Sequence, residues 1–341
     1  MASIQDVAKR AGVSIATVSR VLNGTAPVSA EVATRVHAAI QALEYRPSRA
    51  ARTLRANRSA TIGLLISDIQ NPFFTALVRA IEDVAQRNGH SLILCNSDED
   101  PQKERRYIEV LCAEQIAGAI IVPTQERSRS LQLFHEQGIP VIAVDRRVND
   151  QDTDVVLVNN TRGAYEATTH LLDNGYRRIG LISGPVGTTT GRERRDGYRL
   201  ALSEAGIPLD PALERFGNFK EEAGHLLTAD LLDQPEMPDA LFVGNNLMTL
   251  GALEAINVRG LRIPEDIALA GFDDMPWAAL SRLSLTAVRQ PIYELGSTAA
   301  LRLFQRLTHP GAFTRQEFVL APTLITRGSS APRSPSEQQS I

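Results

Sequence analysis

The 341-residue chain is predicted to fold as a small all-α headpiece with a helix-turn-helix, joined by a short linker to an α/β core of two parallel-sheet lobes. Three observations predict this. The first sixty residues space apolar side chains at helical intervals and hold nine Lys/Arg against three acids, a charge of +6 that leaves −9 on the remainder of a chain whose net charge is −3. From Thr61 onward, short apolar runs of strand length alternate with helical segments, the pattern of parallel sheets covered by helices. This second stretch, about 270 residues long, exceeds what one sheet usually organises, which predicts two lobes around a cleft. A basic end on an acidic body points to a polyanion partner for the first sixty residues.

The elements follow in order. Ile4, Val7, Ala8 and Ala11 share one helical face, and Gly12 supplies a left-handed stop that a side chain resists. Ser14 can cap the next helix by accepting a backbone N–H. That helix, Ile15 to Leu22, turns Val18, Val21 and Leu22 inward and Ile15, Ala16, Thr17, Ser19 and Arg20 outward. Two short helices on a tight glycine turn are the helix-turn-helix pattern, whose second helix lies in the DNA major groove. A third helix runs from a Ser29 cap to about Leu43, with Val32, Val36, Ile40 and Leu43 inward. Pro47 ends it. Ser48 to Arg55 can form one more short helix exposing Arg49, Arg52, Leu54 and Arg55, unstable alone in water.

In the core, strands are expected at Thr61–Ser67, Leu92–Cys95, Ala119–Val122, Val141–Val144, Val155–Val158, Ile179–Ser183, Leu241–Gly244 and Ile267–Gly271, with a first helix from Phe73 to Asn88. Ligands bind outside the carboxyl ends of such strands. Asn71, Phe73 and Phe74 follow the first strand, Asp145 and Arg146 end another, and Arg194 lies on the helix after the Gly184-Pro185 turn. Phe219 lies in a loop, Asn245 and Asp273 end two later strands, and Gln290 sits in a crossover. Rings that stack on the apolar faces of a sugar, with Asp, Asn, Arg and Gln to saturate its hydroxyls, suit a small polyol.

Other classes are disfavoured. The glycine-rich stretch at 184–191 is neither GxGxxG nor GxxxxGK[ST], there is no GxSxG, and His135-Glu136 lacks the second histidine of HExxH. No catalytic residue and no cofactor is therefore expected. Cys95 and Cys112 form neither CxxC nor a Cys/His cluster, so no metal site or disulfide framework is expected. No apolar run reaches the ~18 residues of a membrane helix, and the first residues lack the features of a secretory signal. The expectation is a cytoplasmic protein with no membrane partner. The Pro/Ser-rich tail after Gly328 is expected to be disordered. It has no leucine heptads for a tetramerising coiled coil, which favours a homodimer.

Asp6-Val7-Ala8, Ala11-Gly12-Val13-Ser14, Thr17-Val18-Ser19-Arg20-Val21-Leu22-Asn23-Gly24, Val28-Ser29, Leu43-Glu44-Tyr45-Arg46-Pro47-Ser48 and Ala50-Ala51-Arg52-Thr53-Leu54 closely resemble the lactose-repressor/galactose-repressor family. The resemblance continues through Gly63-Leu64-Leu65-Ile66, Gly89-His90, Gly118-Ala119-Ile120 and Gly271-Phe272-Asp273-Asp274. It implies a DNA-binding regulator with a periplasmic-binding-protein-like core, divided as headpiece 1–46, hinge helix and linker 47–60, effector-binding and dimerisation core 61–328, and tail 329–341. By resemblance Ile15, Ala16 and Arg20 read base edges, and Leu54 wedges into the minor groove at the centre of an inverted-repeat operator. Ser14, Thr17 and Ser19 suit phosphate contacts. Asn71, Phe73, Phe74, Asp145, Arg146, Arg194, Phe219, Asn245, Asp273 and Gln290 match, residue by residue, the pocket of ribose-binding proteins and their regulator relatives. The implied effector is ribose or a similar monosaccharide, with a purine, a nucleoside or another sugar derivative as the alternative.

Overall fold

Ser3 sets the first helix by a reciprocal cap, its hydroxyl accepting from the Asp6 N–H at 3.2 Å while the Asp6 carboxylate accepts the Ser3 N–H at 2.8 Å. The computed structural model describes residues 2–23, 26–45, 59–279 and 284–333, and the chain divides into two compact units, up to Ser59 and from Ala60.

In the first unit, α1 (Ile4–Ala11) ends at Gly12, whose φ of 63° is the left-handed turn expected there. α2 (Ile15–Asn23) begins behind Ser14, whose hydroxyl accepts the Thr17 N–H at 3.1 Å. α3 (Ala30–Ala42) follows Ser29, which makes no side-chain cap. Val7, Ala8, Ala11, Val18, Val36 and Ala39 form the buried centre, and Val21, Leu22, Val32, Ile40 and Leu43 pack around it. Arg35 ties α3 to the turn by donating to the carbonyls of Ala11 (3.1 and 2.8 Å) and Gly12 (3.2 Å). Those carbonyls are among the ones a helix end leaves without partners.

The second unit holds two six-stranded sheets. The first has order β11-β5-β4-β3-β1-β2, built from β1 (Thr61–Ile66), β2 (Ser91–Asn96), β3 (Gly118–Ile121), β4 (Val141–Val144), β5 (Asp154–Val158) and β11 (Glu317–Leu320), every pair parallel. The second has order β12-β10-β9-β8-β6-β7, from β6 (Ile179–Ser183), β7 (Glu214–Phe216), β8 (Ala240–Val243), β9 (Ala268–Phe272), β10 (Thr286–Arg289) and β12 (Thr323–Ile325), with only β12 antiparallel. The chain crosses between the lobes after β5, after β10 and after β11. β3, β4, β5, β6, β8 and β9 are buried along their whole length, as strands covered by helices on both faces must be. Apolar clusters fill both faces of each sheet.

Four strands go beyond the sequence expectation: β7, β10, β11 and β12. They span three or four residues each and carry charged or polar residues, whereas the equally short β3, β4 and β8 are continuous apolar runs. The tail also departs from expectation as far as Arg333. Gly328–Ser330 forms a helical turn in which Ser329 and Ser330 are buried. The Ser329 hydroxyl accepts from the Thr286 N–H at 2.8 Å and donates to the Leu269 carbonyl at 2.6 Å. Ser330 meets Thr286 Oγ1 at 2.6 Å and His170 Nε2 at 2.8 Å. Polar composition read as disorder, yet the Ser329 hydroxyl satisfies backbone groups of β10 and β9 and the Ser330 hydroxyl meets the Thr286 and His170 side chains.

Candidate functional site

The first candidate surface is the outer face of α2. Val18 is fully buried, which fixes the rotation of the helix and turns Ile15, Ala16 and Arg20 to solvent. Ile15 is 38% exposed, which puts an apolar side chain on this outer face. Ser14 is exposed, with its hydroxyl 2.9 Å from that of Thr17, and Thr17 and Ser19 are half-buried. Leu54, the expected wedge, lies outside the described residues, as does most of the linker.

The second is the cleft between the lobes, where residues at the carboxyl ends of both sheets line a pocket. All ten residues expected there line it: Asn71, Phe73, Phe74, Asp145, Arg146, Arg194, Phe219, Asn245, Asp273 and Gln290. Asp68, Glu99, Thr190, Asn218 and Lys220 line it too and were not anticipated.

From the first lobe, Asn71 caps α4 (Pro72–Arg87), its Oδ1 accepting the Phe73 N–H at 2.9 Å. This cap aims the first turn of α4 at the cleft. Phe73 and Phe74 pack edge to face, ring centroids 5.0 Å apart. Asp145, at φ 70°, turns the chain out of β4 with its N–H on the Val156 carbonyl at 2.9 Å. Arg146 is 3% exposed and gives both terminal nitrogens to Glu99, each at 2.6 Å. Its Nε has no hydrogen-bond partner among the described residues.

From the second lobe, Arg194 on α5 (Thr189–Glu204) donates to Asn160 Oδ1 at 2.9 Å and to the Gly244 carbonyl, and its guanidinium lies 3.8 Å from the Phe272 ring centroid. Phe219 stands at φ 65° under the Arg146 guanidinium, 5.4 Å from ring centroid to Cζ. Its ring fills the space over Gly184, where a Cβ would lie 1.9 Å from a ring carbon. Asn245 is held within its own lobe: Oδ1 accepts the Met248 N–H at 3.0 Å and Nδ2 donates to the Phe219 carbonyl at 2.9 Å. It lines the cavity and also holds Phe219 in place. Asp273, at φ 74°, accepts from Gln290 Nε2 at 2.5 Å, and Gln290 Oε1 is buried without a partner.

The lobes also meet directly. Asn246 Nδ2 donates to Asn71 Oδ1 at 2.9 Å, and Lys220 Nζ reaches both Asp68 and Asp98 at 2.8 Å. Thr189 Oγ1 donates to Glu126 at 2.8 Å, Arg192 pairs with Glu126, and Arg147 pairs with Glu193.

Burial raises the Asp145 carboxyl from 3.8 to about 6, against the pull of Arg146 and Arg194. Burial also raises Asp273 and lowers Arg194. For Arg146, burial works downward but the charge and hydrogen bonds of Glu99 win and raise it. The cavity thus holds aromatic surface, carboxylates, guanidinium groups and two unmet polar atoms, a set that can grip a compact molecule rich in hydroxyls. The loop residues Glu99 and Lys220 had no periodic signal, although Lys220 adjoins Phe219 and Asp68 follows the β1 run directly.

No helix among the described residues is long and apolar enough to cross a membrane. Residues 59–326 match the family described as periplasmic binding proteins and sugar binding domain of LacI family, and residues 3–48 match bacterial regulatory proteins, lacI family. The ribose operon repressor of Escherichia coli (strain K12) is 37% identical over 331 residues, 97% of this chain and 100% of that protein. A lac repressor dimer bound to operator and the anti-inducer ONPF superposes with a TM-score of 0.84 at 28% identity, covering 97% of this chain and 99% of that one. A LacI family regulator from Enterococcus faecium with bound ribose gives a TM-score of 0.71 at 31% identity, covering 80% of this chain and all of that one.

Proposed function

The chain belongs to the LacI family of bacterial regulatory proteins, a DNA-binding repressor with a small-molecule effector, and we propose that the effector is ribose or a closely similar monosaccharide bound in the cleft. The observation that carries this reading is the convergence of ten residues from both lobes on one cavity with two unmet polar atoms, Gln290 Oε1 and Arg146 Nε. Phe73, Phe74 and Phe219 offer flat apolar surface to a sugar ring, and Asp145, Arg146, Arg194, Asp273 and Gln290 offer hydrogen bonds to its hydroxyls. A buried site built for hydroxyls rejects molecules that lack them, because its own polar groups are then left unpaired.

On the DNA side, Arg20 can pair with guanine O6 and N7 together, Ile15 and Ala16 can meet a thymine methyl, and Ser14, Thr17 and Ser19 can hold phosphates. Two copies acting as a dimer read an inverted repeat, with Leu54 of each at its centre. Access to chromosomal DNA puts this activity in the cytoplasm.

The test is a calorimetric screen of the purified protein against D-ribose, other pentoses, hexoses, nucleosides and purines, followed by operator titration with the best binder. Tight binding of D-ribose with a change in operator affinity supports the reading. Binding of a purine or nucleoside in preference to every sugar replaces it with the alternative.

A further inference from the structure

Two consecutive residues after β2, Asp98 and Glu99, stand in the left-handed region at φ 54° and 59°. Neither is glycine, and such backbone costs about 1 kcal/mol or more per residue. The loop is held there by the Ser97 N–H on the Ile66 carbonyl at 2.9 Å, the Glu99 N–H on Ser67 at 3.2 Å and the Asp100 N–H on Ser97 at 3.0 Å. The consequence is chemical. The two carboxylates point to the two cations that lie nearest, Asp98 to Lys220 and Glu99 to Arg146.

The Glu99 contact is the more consequential. Arg146 is buried and lines the cavity, and an unpaired guanidinium there attracts any anion that enters. Glu99 takes both terminal nitrogens in a two-pronged bond, so the plane of the guanidinium is fixed and its charge is cancelled in place. What remains toward other partners is Nε, 3.6 Å from Asp145 Oδ2, and the second hydrogens of the terminal nitrogens, of which Nη1 also reaches the Pro123 carbonyl at 3.4 Å. The third cation, Arg194, faces the carboxylates of Asp273 and Asp145. The lining therefore sets Asp68, Glu99, Asp145 and Asp273 against Arg146, Arg194 and Lys220, with none of the three cations left without a facing carboxylate.

We propose that Glu99 is a positioning residue that fixes Arg146 in the cavity and, by cancelling its charge, makes the site select uncharged sugars over anionic ones. This rests on the sugar reading above and adds to it a named determinant of ligand charge. Without Glu99, the Arg146 side chain is free to turn its fork toward a phosphate or carboxylate on a ligand.

The experiment measures the affinities of D-ribose and D-ribose 5-phosphate for the full-length parent, Glu99→Gln and Glu99→Asp by calorimetry. The parent is expected to bind ribose and to discriminate strongly against the phosphate ester. Glu99→Gln keeps shape but loses charge, so ribose should weaken and the ribose to ribose 5-phosphate preference should narrow by about tenfold or more. Glu99→Asp keeps the charge and should retain the preference, a distinction that a merely structural role does not make. If Glu99→Gln fails to fold, Glu99→Asp still decides. Parent-like preference there supports the proposal, and loss of preference in a folded Glu99→Asp overturns it. An unchanged preference in a folded Glu99→Gln also overturns it. A parent that prefers ribose 5-phosphate to ribose overturns the inference on charge, whereas a parent that binds neither but binds a purine overturns the sugar reading beneath it.

Discussion

Asp145 carries the pH behaviour of the cavity. Burial raises its carboxyl from 3.8 to about 6, partly opposed by Arg146 and Arg194 and reinforced by Asp273 and Glu99. An acid whose folded value is raised stabilises the fold in its protonated form, so this contribution is complete below about pH 4 and is lost as pH rises through about 6. Ligand binding runs the other way. A sugar hydroxyl donated to the carboxylate favours its charged form. Ribose affinity is therefore expected to rise between pH 5 and 7 by up to about tenfold and then flatten, and Asp145→Asn should remove the slope. Calorimetry across that range checks it, and a flat parent profile takes Asp145 out of the ligand contact. Phe219 gives a steric counterpart. Its ring covers Gly184 so closely that a Cβ there would sit 1.9 Å from a ring carbon, while Asn245 holds its carbonyl. Gly184→Ala must push the ring into the cavity, so ribose should weaken by about tenfold or more and stability should fall by about 1–3 kcal/mol. Chemical melts read the second effect; parent-like values for both show that the ring has room to move.

The helices of the first unit were legible because each is at least eight residues long and keeps a 3.6-residue apolar period around Val7, Val18 and Val36. The expected core strands, four to six residues each, were legible instead as short, mostly apolar runs between helical segments. The segment after β12 was misread from composition, since serines look solvated until their partners are known. Ser329 is the clearest case, with its hydroxyl bridging the Thr286 N–H and the Leu269 carbonyl in a buried site. Ser329→Ala leaves that donor and acceptor unpaired, and is expected to cost about 1–3 kcal/mol in a urea melt. An unchanged midpoint means that other groups take over both bonds and that the stitch is dispensable.

At the scale of the molecule, the effector unit stands with its lobes joined across the cleft by Lys220 to Asp68 and Asp98, Glu126 to Thr189 and Arg192, Arg147 to Glu193, and Asn246 to Asn71. A ligand changes operator affinity only by as much as it distinguishes the states of this unit, typically ~1–3 kcal/mol. Because the proposed site takes groups from both lobes, a sugar favours the closed arrangement, and we expect it to release the operator. Asp273→Ala should abolish that response while leaving unliganded operator binding near the parent value. Operator titrations with and without D-ribose measure both. Release that persists in Asp273→Ala places the effector elsewhere, and tighter operator binding with sugar reverses the sign of the regulation.

The sequence alone determined the order of the longer elements and the exposed face of α2, because these depend on apolar period, and its resemblance to ribose-binding proteins and their regulator relatives singled out ten residues that line the cleft. Only the tertiary structure decided how those residues are used. It made Asn245 the support of Phe219, brought Glu99 onto Arg146 and Lys220 onto Asp68, and seated the polar tail under β10. Such pairings join residues remote in sequence, through backbone at positive φ at Asp98, Glu99, Phe219 and Asp273, whose direction no local pattern encodes. Local propensity sets where a strand stops; what a side chain beyond that end can touch depends on what the rest of the chain packs against it.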